Sequence, residues 1–104
     1  MATERVLFRD VIPYELPSSL SALQGPVDGI LEVPITVHWG PTRIFDLSEA
    51  GQRRMVYQAL VREGTSQIQE ALLSETLLRQ EWDGLILPDR CRGLWEERFP
   101  ELAA

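Results

Sequence analysis

The chain has 104 residues, 44% of them hydrophobic, and 16 acidic residues against 10 basic ones give it a net charge of −6. That length supports one core, so residues 1–104 read as a single domain with no room for a two-domain enzyme. Every basic residue is arginine, and the acidic balance disfavours sequence-independent nucleic-acid binding, which depends on neutralising phosphates.

No apolar run approaches the roughly 20 residues needed to cross a bilayer, and the opening "MATERVLFRD" carries charges where a secretory segment needs apolar side chains. With one cysteine and hence no internal disulfide, these features predict a cytoplasmic protein.

Residues 4–9 read as a short strand, followed by a stretch punctuated by proline and glycine. Within it Pro17 opens a short helix over "SSLSAL", and Gly25 and Pro26 close it. The clearest periodicity lies at residues 30–39, "ILEVPITVHW". Leu31, Val33, Ile35, Val37 and Trp39 share one face, and Glu32, Pro34, Thr36 and His38 share the other, as in a half-buried strand. Pro34 lacks a ladder donor and predicts a sheet edge or bulge, while "GPT" at 40–42 reverses the chain into Arg43 to Asp46.

From Asp46 the period becomes helical. Asp46 with Glu49 resembles a capping box and Gly64 a left-handed stop, which predicts a helix from about Leu47 to Glu63 with Val56, Ala59 and Leu60 inward. Thr65 or Ser66 caps a second helix running to about Trp82, whose inner side carries Ile68, Ala71, Leu72, Leu78 and Trp82. Leu73 and Leu77 project elsewhere. Either the helix breaks near Ser74 and restarts in a new frame, or these leucines meet a second apolar surface. Asp83 and Gly84 turn the chain, and Pro88 begins a last helix that puts Cys91, Leu94, Trp95 and Phe99 on one stripe. The expected fold is α+β: a small antiparallel sheet, made of the hairpin and the N-terminal strand, packed by two or three helices.

Chemistry is sparse. A free cysteine on an apolar stripe behaves as a small buried hydrophobe, whereas a nucleophile needs a base or cation and access to substrate. His38 stands on the polar hairpin face near Asp46 or Arg43, without a nucleophile elbow to serve. One histidine and one cysteine fall short of a zinc site, the carboxylates form no calcium loop, and no phosphate-binding glycine loop appears. The expectation is therefore no catalytic centre, no metal and no cofactor.

Two helices joined by a glycine turn over residues 49–82 raise a helix-turn-helix, and with it a DNA-binding transcriptional autoregulator. Its second helix, with Gln67, Gln69, Glu70, Glu75, Arg79 and Glu81, is net acidic, so phosphate anchors would have to come from Arg53, Arg54 and Arg62 as a continuous exposed patch.

"DVIPYELPSSLSALQGPVDGILEVPITVHWGPTRIFDL", "YQALVREGT" and "LPDRCRGLWEERFPEL" together resemble a family of short bacterial proteins, sometimes labelled transcriptional regulators, encoded beside abortive-infection-type nucleotidyltransferase toxins. The resemblance runs from Asp10 to Leu102. It implies an antitoxin-like partner that binds and restrains the neighbouring enzyme, and it transfers no active-site residues. For such a module the expected docking face is Leu73 and Leu77 flanked by Glu70 and Arg79, with Trp39 and Arg43 at the hairpin tip.

Overall fold

The computed structural model describes residues 14–34, 37 and 43–103. It is an α+β fold of two short strands, β1 (Ile30–Glu32) and β2 (Ile44–Asp46), and four helices: α1 (Ala50–Glu63), α2 (Ser66–Leu72), α3 (Glu75–Glu81) and α4 (Asp89–Arg98). Three 3-10 turns, Leu20–Ala22, Trp82–Gly84 and Pro100–Leu102, join or extend them. The predicted strand at 4–9 lies outside the described residues, as do His38 and Trp39.

The strands pair antiparallel with Ile30 opposite Asp46, Leu31 opposite Phe45 and Glu32 opposite Ile44. Backbone bonds from Val33 N to Arg43 O (2.9 Å) and from Leu47 N to Gly29 O (2.8 Å) extend the ladder at both ends. Leu31 and Val33 are buried, as the period of two predicts; Phe45 opposite Leu31 and Val37, in a turn beyond the strand, are buried as well. The regular strand is shorter than expected, ending at Glu32 ahead of Pro34.

Helix α1 begins three residues later than predicted. Asp46 is still in β2, where its carboxylate accepts from Ser48 N (2.9 Å) and Ser48 Oγ (2.7 Å), and Glu49 is itself the cap, accepting from Gln52 N (3.1 Å). The helix ends at Gly64 as predicted, but that residue is extended (φ −78°), so the left-handed stop is corrected. Glycine is needed there for space, since a Cβ would stand 2.7 Å from the Leu60 carbonyl oxygen. The buried stripe of α1 is wider than expected: Tyr57 and Val61 join Val56 and Leu60, while Ala59 is only partly buried.

The predicted second helix is two helices. Leu73 (φ −86°, ψ 145°) and Ser74 (φ −106°, ψ 133°) are extended, and Ser74 caps α3 through a bond from Leu77 N (3.4 Å). A break buries backbone groups that need partners. The Tyr57 hydroxyl accepts from Ser74 N (2.9 Å), Gly25 N donates to Leu73 O (2.8 Å), and Gln24 N donates to Glu70 O (2.7 Å). Gly25 presses so closely on the end of α2 that a Cβ would overlap the Leu72 carbonyl. Two extended residues reset the helical phase, turning Leu73, Leu77 and Leu78 into the core with Trp82. Helix α4 closes the core with Cys91 and Trp95, whose indole meets those of Trp82 (5.9 Å between ring centres) and the ring of Phe99 (5.8 Å).

Candidate interaction surface

Cys91, the described residue with reactive potential, is occupied structurally. Cys91 is fully buried, and burial pushes its thiol up to about 11 against the opposing pull of Arg62, Arg92 and Arg90, so it is a packing residue with little thiolate at neutral pH. Among the described residues no three histidine, cysteine or carboxylate side chains gather as metal ligands, and no helix is long and apolar enough to cross a membrane.

Arg53 and Arg54 of α1 are also committed. Arg53 Nε donates to Glu81 Oε2 (2.9 Å), Arg54 Nε donates to Glu81 Oε1 (2.8 Å), and Arg53 Nη1 donates to Leu47 O (2.8 Å). Glu81 is only 4% exposed. Burial alone would raise its carboxyl, and the bonds from Arg54, Arg53 and Gln80 more than offset that, holding it below the ordinary value. Two of the three arginines that a DNA-reading patch would need thus share one buried carboxylate: Arg53 is largely buried, while Arg54 is half-exposed and Arg62 is exposed at the end of α1.

The predicted docking face needs correction. Leu73 and Leu77 are buried by the break and expose no apolar pair. Glu70 accepts from Ser18 N (2.7 Å) and Ser18 Oγ (2.9 Å), which hold its carboxyl below the usual range, and Arg79 pairs with Glu75 one turn earlier (3.2 Å). Arg43 is half-buried at the start of the returning hairpin arm, and Trp39 is outside the described residues. With both leucines buried, the apolar centre of the expected face is absent from the surface.

Exposed aliphatic surface lies elsewhere. Ile30 is 63% exposed, Ile44 53% and Val27 54%. The ladder bonds at Val33–Arg43 and Gly29–Leu47 make Leu31–Phe45 the bonded pair between them, so Ile30–Asp46 and Glu32–Ile44 are the closely spaced, non-bonded pairs. Directly opposed residues share a face, and these four side chains stand on the outer one. Two isoleucines occupy one diagonal and two carboxylates the other. Asp28 adds acidity at the entry to β1, and Arg43, Val33 and Pro34 bound the Glu32 end. Sequence reasoning overlooked Ile30 and Ile44 although a signal was present: each shares the parity of a polar neighbour, Glu32 or Asp46.

Met55 on α1 and Ile86 are also exposed, and Ile86 is held beside α1 by the bond from its N to Gln58 Oε1 (2.8 Å). An open depression between the Ser18–Ser21 turn and the end of α4 holds Leu20, Phe99, Glu75, Arg98 and Glu101, with Arg98 Nη2 already donating to Ser18 O (3.0 Å). Comparison with family models, curated proteins and solved structures finds no match.

Proposed function

We propose that the chain is a small protein–protein interaction module, antitoxin-like, that binds and restrains a nucleotidyltransferase-fold enzyme in the cytoplasm. The supporting observation is the outer hairpin face, where the isoleucines Ile30 and Ile44 stay exposed on a chain that buries every leucine of its helix-break region save the half-covered Leu72. Solvent-facing aliphatic side chains grouped with charged ones are the usual composition of a contact surface. The net charge of −6 suits a partner with a basic nucleotide-handling groove, because complementary fields speed and orient docking.

Co-expression with a nucleotidyltransferase encoded beside the chain tests this reading. The tagged chain should recover the enzyme and suppress its nucleotide transfer in proportion to complex formed. Recovery of no enzyme, together with unchanged transfer activity, would refute it.

A further inference from the structure

We propose that the outer face of the β1–β2 hairpin docks a protein surface in which an aliphatic ridge is flanked by arginine or lysine side chains. This rests on reading the chain as an interaction module and names the surface and the chemistry of its partner.

The chemistry follows from the arrangement of four side chains. Ile30 and Ile44 lie on one diagonal of the paired strands and Glu32 and Asp46 on the other, so aliphatic and anionic groups alternate along each strand and across the pair. A partner that covers the isoleucines also takes the neighbouring carboxylates out of water. Desolvating a carboxylate without a counter-charge is costly, so the partner must bring cations beside its apolar contact.

The same geometry rejects a second copy of this chain. Laid face to face about a two-fold axis, the pattern sets carboxylate against carboxylate or isoleucine against carboxylate. Neither pairing satisfies both groups, and the net charge of −6 on each copy adds repulsion. The face is also held in shape before docking. Asp46 N donates to Gln52 Oε1 (2.8 Å), Asp46 O accepts from Glu49 N (3.1 Å), and Ser48 fixes the Asp46 carboxylate, which anchors β2 to the start of α1. A preformed surface loses little ordering entropy on binding.

The test uses the full chain and a synthetic helical peptide with an isoleucine ridge flanked by arginines, followed by amide NMR. Shift changes should centre on Val27–Glu32 and Ile44–Asp46. The Ile30→Ser, Ile44→Ser double variant, which keeps the charge, should bind about tenfold or more weakly. Glu32→Gln should weaken binding about threefold and flatten its salt dependence. A peptide with glutamate in place of arginine should not bind.

Equal affinity for the serine variant overturns the proposal, since charge alone would then explain binding. So do shifts scattered over other acidic sites or centred on Met55 and Ile86. The peptide is independent of any particular enzyme, so its failure leaves the restraint of a nucleotidyltransferase open, and failure of that restraint leaves the docking chemistry open.

Discussion

The junction around Glu81 and the outer face of the hairpin reverse the usual placement of polar and apolar groups. At the junction a carboxylate is buried between two arginines of α1, which locks α1 to α3. On the hairpin two isoleucines stand in water beside two carboxylates. The first arrangement is satisfied within the chain: Glu81 receives Arg53, Arg54 and Gln80, and Arg53 also reaches the Leu47 carbonyl. The second has its carboxylates in place and its aliphatic groups uncovered. Buried polarity here builds the body, and exposed apolarity marks where the body ends and contact begins.

The sharpest way to break that contrast is to exchange the two environments. Leu73→Asp with Leu77→Asp puts two carboxylates where both leucines are buried and no cation is paired with them, so the variant should lose its helical circular dichroism. A folded double variant would mean that the break region is surface. Leu73→Ala alone should cost about 2–5 kcal/mol in urea titration, through lost burial and the cavity left behind.

Next in size is Glu81→Ala, which strands the largely buried Arg53. Removing one member of a buried pair costs about 3–5 kcal/mol, and the lower end applies here because Arg54 is half-exposed. The pH profile sharpens the point. The Glu81 carboxyl is held below its ordinary value of 4.5, so the stability it contributes is fully present above that pH and is lost as pH falls through the depressed folded value. Acid unfolding of Glu81→Gln, followed by fluorescence, should be correspondingly flatter.

The sequence revealed what is decided locally. The end of α1 at Gly64, the Thr65 cap, the start at Pro88, the strand parity around Leu31 and Val33, and the packing stripe of Cys91, Trp95 and Phe99 all follow from neighbours within a turn or two. The break at Leu73–Ser74 is different. Ser74 followed by Glu75 is a fair start signal, but the break's backbone groups are satisfied by Tyr57, Gln24 and Gly25, far back in the chain. Gln69 was equally hidden: it is fully buried with its Nε2 within hydrogen-bond distance of Glu15 O, Leu60 O and Gly64 O, three carbonyls that only the fold assembles and that share its two N–H groups. The docking-face expectation failed with the helical phase on which it depended. The hairpin face was legible from parity alone, because Ile30 shares its side of the strand with Glu32.

Tyr57→Phe should cost about 1–3 kcal/mol, the penalty for leaving the buried Ser74 N–H without an acceptor. Burial pushes the Tyr57 hydroxyl from 10.0 up to about 12, despite the Ser74 bond and Arg53, and the thiol of Cys91 from 9.0 up to about 11. Both groups are protonated in the fold, so their contributions are complete below the unfolded values and disappear as pH rises through about 11 and then about 12. Alkaline unfolding should begin later in pH for Tyr57→Phe, measured relative to its own neutral stability. Cys91→Ala should cost about 1 kcal/mol and leave any cellular activity intact, because the thiol packs against the core and contacts the Val61 carbonyl only weakly (4.0 Å).

The smallest expected change in stability belongs to the hairpin face, and that smallness is diagnostic. Ile30 and Ile44 are more than half exposed and lie on the side of the sheet away from Leu31 and Phe45, so serine at both positions removes little buried area. Urea midpoints should move by no more than about 0.5 kcal/mol, the range of ordinary surface substitutions. The loss of β-propensity at two strand positions acts in the same direction and is small at an edge. A drop of several kcal/mol would show that the isoleucines are part of the core, and the contrast between a self-satisfied junction and an uncovered face would disappear. A near-neutral drop combined with weakened peptide binding would assign their burial to a partner, because side chains that contribute little to the folded monomer would then contribute most to its complex.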